Sequence, residues 1–305
     1  MFNRFGTVVG ALTVALGIIG SHAGAASADS PSPSPSPASA RYSFHKVASP
    51  KDRTFTQLLG INSGNTIAGY FGSGAAGHPN KGFTLSLPNN YASESYPNSA
   101  QTQVIAIDNR GDTGGFYIDN AGATHGFSRV RGTFTTVGLP GTTFNQLLGL
   151  DNRGRAAGFF QDADGMNHAW IRDAHGNFLV PPIQNSQATG INDDGTVVGF
   201  TMPNANTASG YVLRNDTLRL VNYPGSTFTQ VLGENNEGQA VGAYNDAQGN
   251  AHGFVYDHGT FSAVNVPGAT ATTINGINDR GRLVGFFTDA NGNTVGFVGS
   301  PTSRS

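Results

Sequence analysis

Cysteine is missing from all 305 residues, which removes disulfides, thiolate metal sites and thiol nucleophiles and leaves packing and backbone pairing to hold the fold. Charge is scarce too. Only 12% of residues are charged and the formal net charge is −2, so no basic field exists to neutralise a phosphate backbone, and nucleic acid is excluded as a partner. Beyond residue 40 the chain holds three glutamates, Glu94, Glu234 and Glu237, and no G-x-S-x-G elbow, which leaves no recognisable catalytic triad. Past residue 19 no apolar run is long enough to span a membrane.

What is abundant is turn-forming and aromatic. Forty-three glycines and fifteen prolines could mean a disordered chain, but 37% hydrophobic residues, with 20 Phe and 9 Tyr, supply the apolar area for a core. Residues 1–28 read as a secretion signal, with Arg4 ahead of an apolar run at 8–19 and small-residue cleavage options at 23–25 and 26–28. That run is shorter than the ~20 residues of a spanning helix, so the expected product is secreted, with no membrane span after cleavage. Residues 29–40, DSPSPSPSPASA, form a Pro/Ser-rich linker with an extended preference.

From residue 41 to 305 the chain is one repeat. QLLGINSGNTIAG (57–69), QVIAIDNRGDTGG (103–115), QLLGLDNRGRAAG (146–158), QATGINDDGTVVG (187–199), QVLGENNEGQAVG (230–242) and TINGINDRGRLVG (273–285) are six copies of it. Their marker residues Asn62, Asp108, Asp151, Asn192, Asn235 and Asn278 fall at intervals of 46, 43, 41, 43 and 43. A period in the forties with short β-runs and Asx-Gly turns, and no helical spacing, predicts the four-stranded blades of a propeller. In the fifth copy the strands are expected at 230–233, 240–244, 252–257 and 261–266, counted from the axis outwards. A glycine in the first turn of each blade (Gly111, Gly154, Gly195, Gly238, Gly281; Asn65 in the first) suits a left-handed backbone.

The sixth copy lacks an outer strand, and Phe44, Val47 and Pro50 repeat the spacing of Phe134, Val137, Pro140 and of Phe261, Val264, Pro267. The fold class expected is therefore all-β, a six-bladed β-propeller closed by its N-terminal strand, with a linear β-solenoid as the weaker alternative. A closed ring of this kind is expected to be a monomer. Phe55, Phe144 and Phe228 open only the odd copies, which predicts inter-blade wedges and a pseudo-threefold ring.

Two polar rings are candidates for an axial site. Gln57, Gln103, Gln146, Gln187 and Gln230 recur at one position, with Thr273 in the sixth copy, and the markers, among them Asn192, Asn235 and Asn278, recur five residues on. Asx-turn capping explains most of the second ring, and inter-blade hydrogen bonding most of the first. An amide-lined pore suits sugars better than acid–base work, because Gln does not titrate. Asp108 and Asp151 are the one carboxylate pair to consider for catalysis or a divalent ion. Asp162 and Asp164, in a D-x-D-G turn, echo the start of a calcium loop but lack its glutamate, so a plain turn is the simpler account. His125, His168 and His252 share one repeat position two strands out from the axis, too dispersed to share a metal and placed to bridge a turn.

At NHAWI (167–171), HGFVY (252–256) and GINDRGRLVGFF (276–287) the chain resembles the bacterial extracellular repeat family called HAF, after its His-Ala-Phe signature. The resemblance covers 41–305 and implies an extracellular repeat protein without a defined shared activity. It departs at Lys81, Ser209 and Val295, where the histidine is absent, which weakens any chemical role for that position. Three functions remain open: a binding module for glycans or cell-envelope polymers at inter-blade pockets or the channel mouth, a channel-centred hydrolase or lyase that could use calcium, and a structural extracellular protein. Functional content is expected in the side chains aimed at the axis and where one blade breaks the pattern.

Overall fold

A computed structural model describes residues 42–302; the expected secretion signal and linker lie outside the described residues. Six four-stranded antiparallel sheets form a ring, a β-propeller without helices among the described residues. The inner strands are Thr56–Ile61, Gln101–Ile107, Asn145–Leu150, Ser186–Ile191, Thr229–Glu234 and Ala271–Ile277. Each blade then runs outwards by hairpins, and the fifth, at Thr229–Glu234, Gln239–Asn245, Ala251–Asp257 and Thr260–Val264, matches its expected strands to within two residues. The ring closes as its two ends require. Tyr42–Val47 pairs antiparallel with Thr294–Pro301 as the outer strand of blade six.

The hairpins turn where the sequence places its left-handed residues, with φ of 85° at Gly111, 83° at Gly154 and 64° at Asn65. Packing sits between blades rather than within them. Val241 of blade five joins Ile274, Ile277 and Leu283 of blade six, and Leu58, Ile61 and Phe83 of blade one join Val284 and Val298 of blade six. The three odd-copy phenylalanines each form an isolated parallel bridge to the preceding blade, Phe55 to Thr294, Phe144 to Thr124 and Phe228 to Ala208. These bridges mark alternate seams, six–one, two–three and four–five, while hydrophobic clusters pack all six.

Two features bring the inner strands together. Two residues before the marker stands Gly60, Gly149, Gly190, Gly233 or Gly276, with Ala106 as the exception in blade two. A Cβ at Gly60 would lie 2.5 Å from the Ile105 carbonyl oxygen of the next blade, at Gly233 2.5 Å from that of Asn275, and at Gly276 2.7 Å from that of Leu59. At these three seams a side chain would force the strands apart. Beside each such position the ladder slips by one residue, as between Leu58 and Gly60 or Val231 and Gly233, a bulge repeated in all six blades. The extra residue is re-aimed by the bulge towards the axis.

The close approach predicts that Gly233→Ala destabilises the ring by about 2–3 kcal/mol, the cost of overpacking a tight contact. Ala106→Gly, which only loosens the same layer, should cost at most about 1 kcal/mol. Equal costs in chemical denaturation would refute the contact as the cause.

Candidate functional site

The bulge decides what faces the axis. One layer, from the extra residues, is Leu59, Ile105, Leu148, Thr189, Leu232 and Asn275, and the next is Ile61, Ile107, Leu150, Ile191, Glu234 and Ile277; both line an axial cavity of about 120 Å³. The two layers are thus largely hydrocarbon, and an amide lining, the lesser of the two readings of the glutamine ring, is only partial. Of the glutamine ring, Gln57, Gln103 and Gln187 reach this cavity. Gln57 accepts a hydrogen bond from Tyr70 Oη at 2.8 Å, and Gln103 Nε2 donates to Asn80 Oδ1 at 2.8 Å. Gln230 is buried, and Gln146 is wholly buried with neither amide atom partnered in the protein.

The marker ring sits at the mouth of the channel and is used by the seams of the ring itself. Asn62 Nδ2 donates to the Asp108 carbonyl (2.9 Å), Asn192 to that of Asn235 (3.3 Å), Asn235 to that of Asn278 (3.1 Å) and Asn278 to that of Asn62 (3.1 Å). Their Oδ1 atoms cap the turns, as Asn192 does for the amides of Asp194 and Thr196. A second girdle lies one residue further on, and sequence reasoning overlooked it. Asn109, Asn152, Asp193, Asn236 and Asp279 each accept the backbone N–H of the preceding blade at 2.7–3.0 Å, and Ser63 Oγ closes the circle on Asp279 Oδ2.

Asp108 and Asp151 cannot donate across the seam, and each is held by an arginine instead. Asp108 takes Arg110 through Nε at 2.9 Å and Nη2 at 2.8 Å, while its other oxygen caps the turn. Asp151 pairs with Arg155, whose Nη2 reaches the carbonyls of Asn192 (3.1 Å) and Asp193 (2.8 Å) and so supplies the missing cross-blade donor. The two carboxylates are structural ion pairs, with both oxygens of each engaged.

The outer turns are built the same way. Asp162 Oδ1 accepts the amides of Asp164 and Met166, and its Oδ2 meets His168 Nε2 at 2.7 Å; Asp119–His125 and Asp246–His252 repeat the clamp at 2.9 and 3.0 Å. The histidine partner and turn amides hold Asp119 and Asp162 below the usual carboxylate range, and Asp246 is lowered by Asn250 and His252 against the opposing effect of its burial. Among the described residues no three His, Cys, Asp or Glu side chains gather as a metal would require, at the Asp162–Asp164 turn or elsewhere.

What breaks the pattern is Glu234. It stands where the other five blades carry Ile or Leu, and it lines the axial cavity, the channel mouth and a groove between blades four and five. Its Oε1 is buried without a partner, whereas the buried Glu94 is met by Thr113 Oγ1 and by Arg129. Burial pushes the Glu234 carboxyl well above its ordinary value of 4.5, with Arg214 opposing and Asp194 reinforcing the rise. The groove encloses about 630 Å³ on the face that carries the channel mouth, within the range of ligand pockets, ≈ 300–1,000 Å³. Around it stand Asp194, Arg214, Arg219, Glu237, Tyr256 and His258. Arg219 lies over the Tyr256 ring at 5.5 Å, and Arg214 makes a loose, exposed pair with Asp194 at 3.7 Å. Glu234 was visible in the sequence as a lone acid in an aliphatic column. The groove was not, since its arginines come from positions that do not repeat.

No protein-family model matches the chain, and no curated protein does. Solved structures match in fold. A triple arginine-to-alanine mutant of AofleA from Arthrobotrys oligospora is 10% identical, with 83% of this chain and 85% of that one covered at a TM-score of 0.51. A gluconolactonase from Xanthomonas campestris is 11% identical over 82% and 87% at 0.52. TolB from Acinetobacter baumannii is 8% identical over 81% of this chain and 63% of that one, at 0.52. At these identities the likeness is one of fold alone.

The unpartnered Glu234 carboxyl predicts a pH signature. A raised folded pKa means that the unfolded chain ionises first, so wild-type stability falls as pH climbs past about 4.5 towards the folded value. Glu234→Gln should lack this loss, and its melting temperature should overtake that of the wild type as pH rises. Parallel pH profiles for the two proteins would show that the acid is not desolvated.

Proposed function

We propose that the chain is a secreted, monomeric binding module for a glycan or similar cell-envelope polymer, gripped in the groove between blades four and five. The observation that carries this reading is the Arg219–Tyr256 stack beside Arg214, Asp194 and Glu237 in an open cleft. A guanidinium set over an aromatic ring is steadied by a cation–π contact and keeps N–H donors for a ligand, which suits the paired hydroxyls of a sugar. Carboxylates on the facing turns accept from the same hydroxyls. An open groove, unlike a closed pocket, lets a polymer pass through. Secretion rests on the apolar run and small-residue cleavage options of residues 1–28.

The purified chain on a glycan array is expected to select a defined subset of structures. Arg214→Ala and Arg219→Ala should each weaken that binding about tenfold or more, the scale of a lost charge-assisted contact at the centre of an interface. Arg219→Lys should recover little, since it keeps the charge and loses the plane. A blank array at high protein concentration would remove the carbohydrate reading, and undiminished binding by both alanine variants would remove the groove.

A further inference from the structure

The axial cavity is chemically lopsided. On blades one to three both of its layers are leucine and isoleucine, and the glutamines beside them, Gln57 and Gln103, are already engaged by Tyr70 and Asn80; blades four to six contribute Thr189, Glu234 and Asn275, with Gln187 two residues before Thr189. Three polar atoms on this side are buried without a partner in the protein: Glu234 Oε1, Asn275 Oδ1 and Gln187 Oε1. Asn275 and Gln187 are each only 8% exposed, so their orphan oxygens are not surface accidents. A buried polar atom left unpaired costs ≈ 1–3 kcal/mol, and a chain that could place isoleucine at this position in four other blades has no structural need of the acid.

All three atoms are acceptors, which defines what would satisfy them. We propose that the axial cavity binds the ammonium head of a small organic amine, with Glu234, Asn275 and Gln187 accepting its N–H groups and the aliphatic wall of blades one to three holding its carbon body. An ammonium offers three donors and a positive charge to a site with three acceptors and an acid. A divalent ion fits poorly, since calcium asks for 6–8 oxygens and half of this wall is hydrocarbon. The size limit follows from the volume. At about 120 Å³ the cavity is somewhat smaller than the ≈ 150 Å³ apolar cavity that admits a benzene ring, so a chain of about four carbons is the natural fit. Thr189 Oγ1 already donates to the Val231 carbonyl at 2.8 Å and helps to fix the wall.

This site is separate from the groove, although Glu234 lies between the two. Asn275 lines only the axial cavity, which makes it the cleaner probe. In calorimetric titration of the full chain, n-butylammonium chloride is expected to bind saturably with one site per ring, and n-butanol at equal concentration more weakly by about tenfold or more. Asn275→Leu installs the residue that three other blades carry in that layer and should weaken n-butylammonium by about tenfold while leaving glycan binding intact. Glu234→Ile should abolish it and melt no lower than wild type, because the orphan acid is gone; Glu234→Gln serves as the isosteric control. Absence of saturable heat with the wild type, equal affinity for n-butanol, or unchanged binding by Asn275→Leu and Glu234→Gln would each overturn the proposal. A blank glycan array with amine binding intact would leave it standing.

Discussion

The whole ring depends on how closely six inner strands can approach one axis. Backbone must meet backbone there, and Gly60, Gly149, Gly190, Gly233 and Gly276 are the residues that allow it. Once the strands are that close, the turns at their ends come within hydrogen-bonding reach, and the two circles through Asn62–Asn278 and Asn109–Asp279 become possible. The hydrophobic clusters follow, because a blade tightly seated at its inner edge presents its flat face to its neighbour all the way out. With no disulfide available, seam hydrogen bonds and inter-blade packing carry the fold together.

Most of this architecture was legible because it is repeated. Period, hairpin turns, the strand supplied by the N-terminus and the wedges Phe55, Phe144 and Phe228 all announce themselves by recurrence. The turn aspartates and the histidines of blades two, three and five were also readable as bridges within their own turns, although the pairing of Asp119 with His125 and its equivalents was not foreseen. The glutamines were open to two readings, inter-blade hydrogen bonding and a polar pore, and what the repeat pattern did not reveal was the bulge before Gly60 and its counterparts, whose extra residues bring Leu59 and its equivalents to the axial cavity. The groove was invisible because Arg214, Arg219 and Tyr256 occupy positions whose character changes from copy to copy.

The repeated residues and those of the proposed binding sites therefore differ. The Asp151–Arg155 pair, which looks catalytic among the acids, restores a seam that an aspartate alone would weaken, and the Asp108–Arg110 pair holds its carboxylate within its own turn. Glu234 does the reverse: it interrupts an aliphatic column and leaves an oxygen unsatisfied at the point where cavity, mouth and groove converge. A cost with no structural return is the usual mark of a residue retained for binding.

The pairing of Tyr42–Val47 with Thr294–Pro301 also sets an order of events during synthesis. The outer strand of blade six is among the first parts of the repeat region to be made, and its partner is among the last. Until then the nascent chain carries an unpaired strand at one end and an incomplete sheet at the other, so ring closure has the highest contact order in the molecule and must wait for the final blade. Blades one to five can form from local hairpins as they emerge, but the completed ring exists only after Thr294–Pro301 has been made. Nothing commits the ring before Thr294–Pro301 meets Tyr42–Val47.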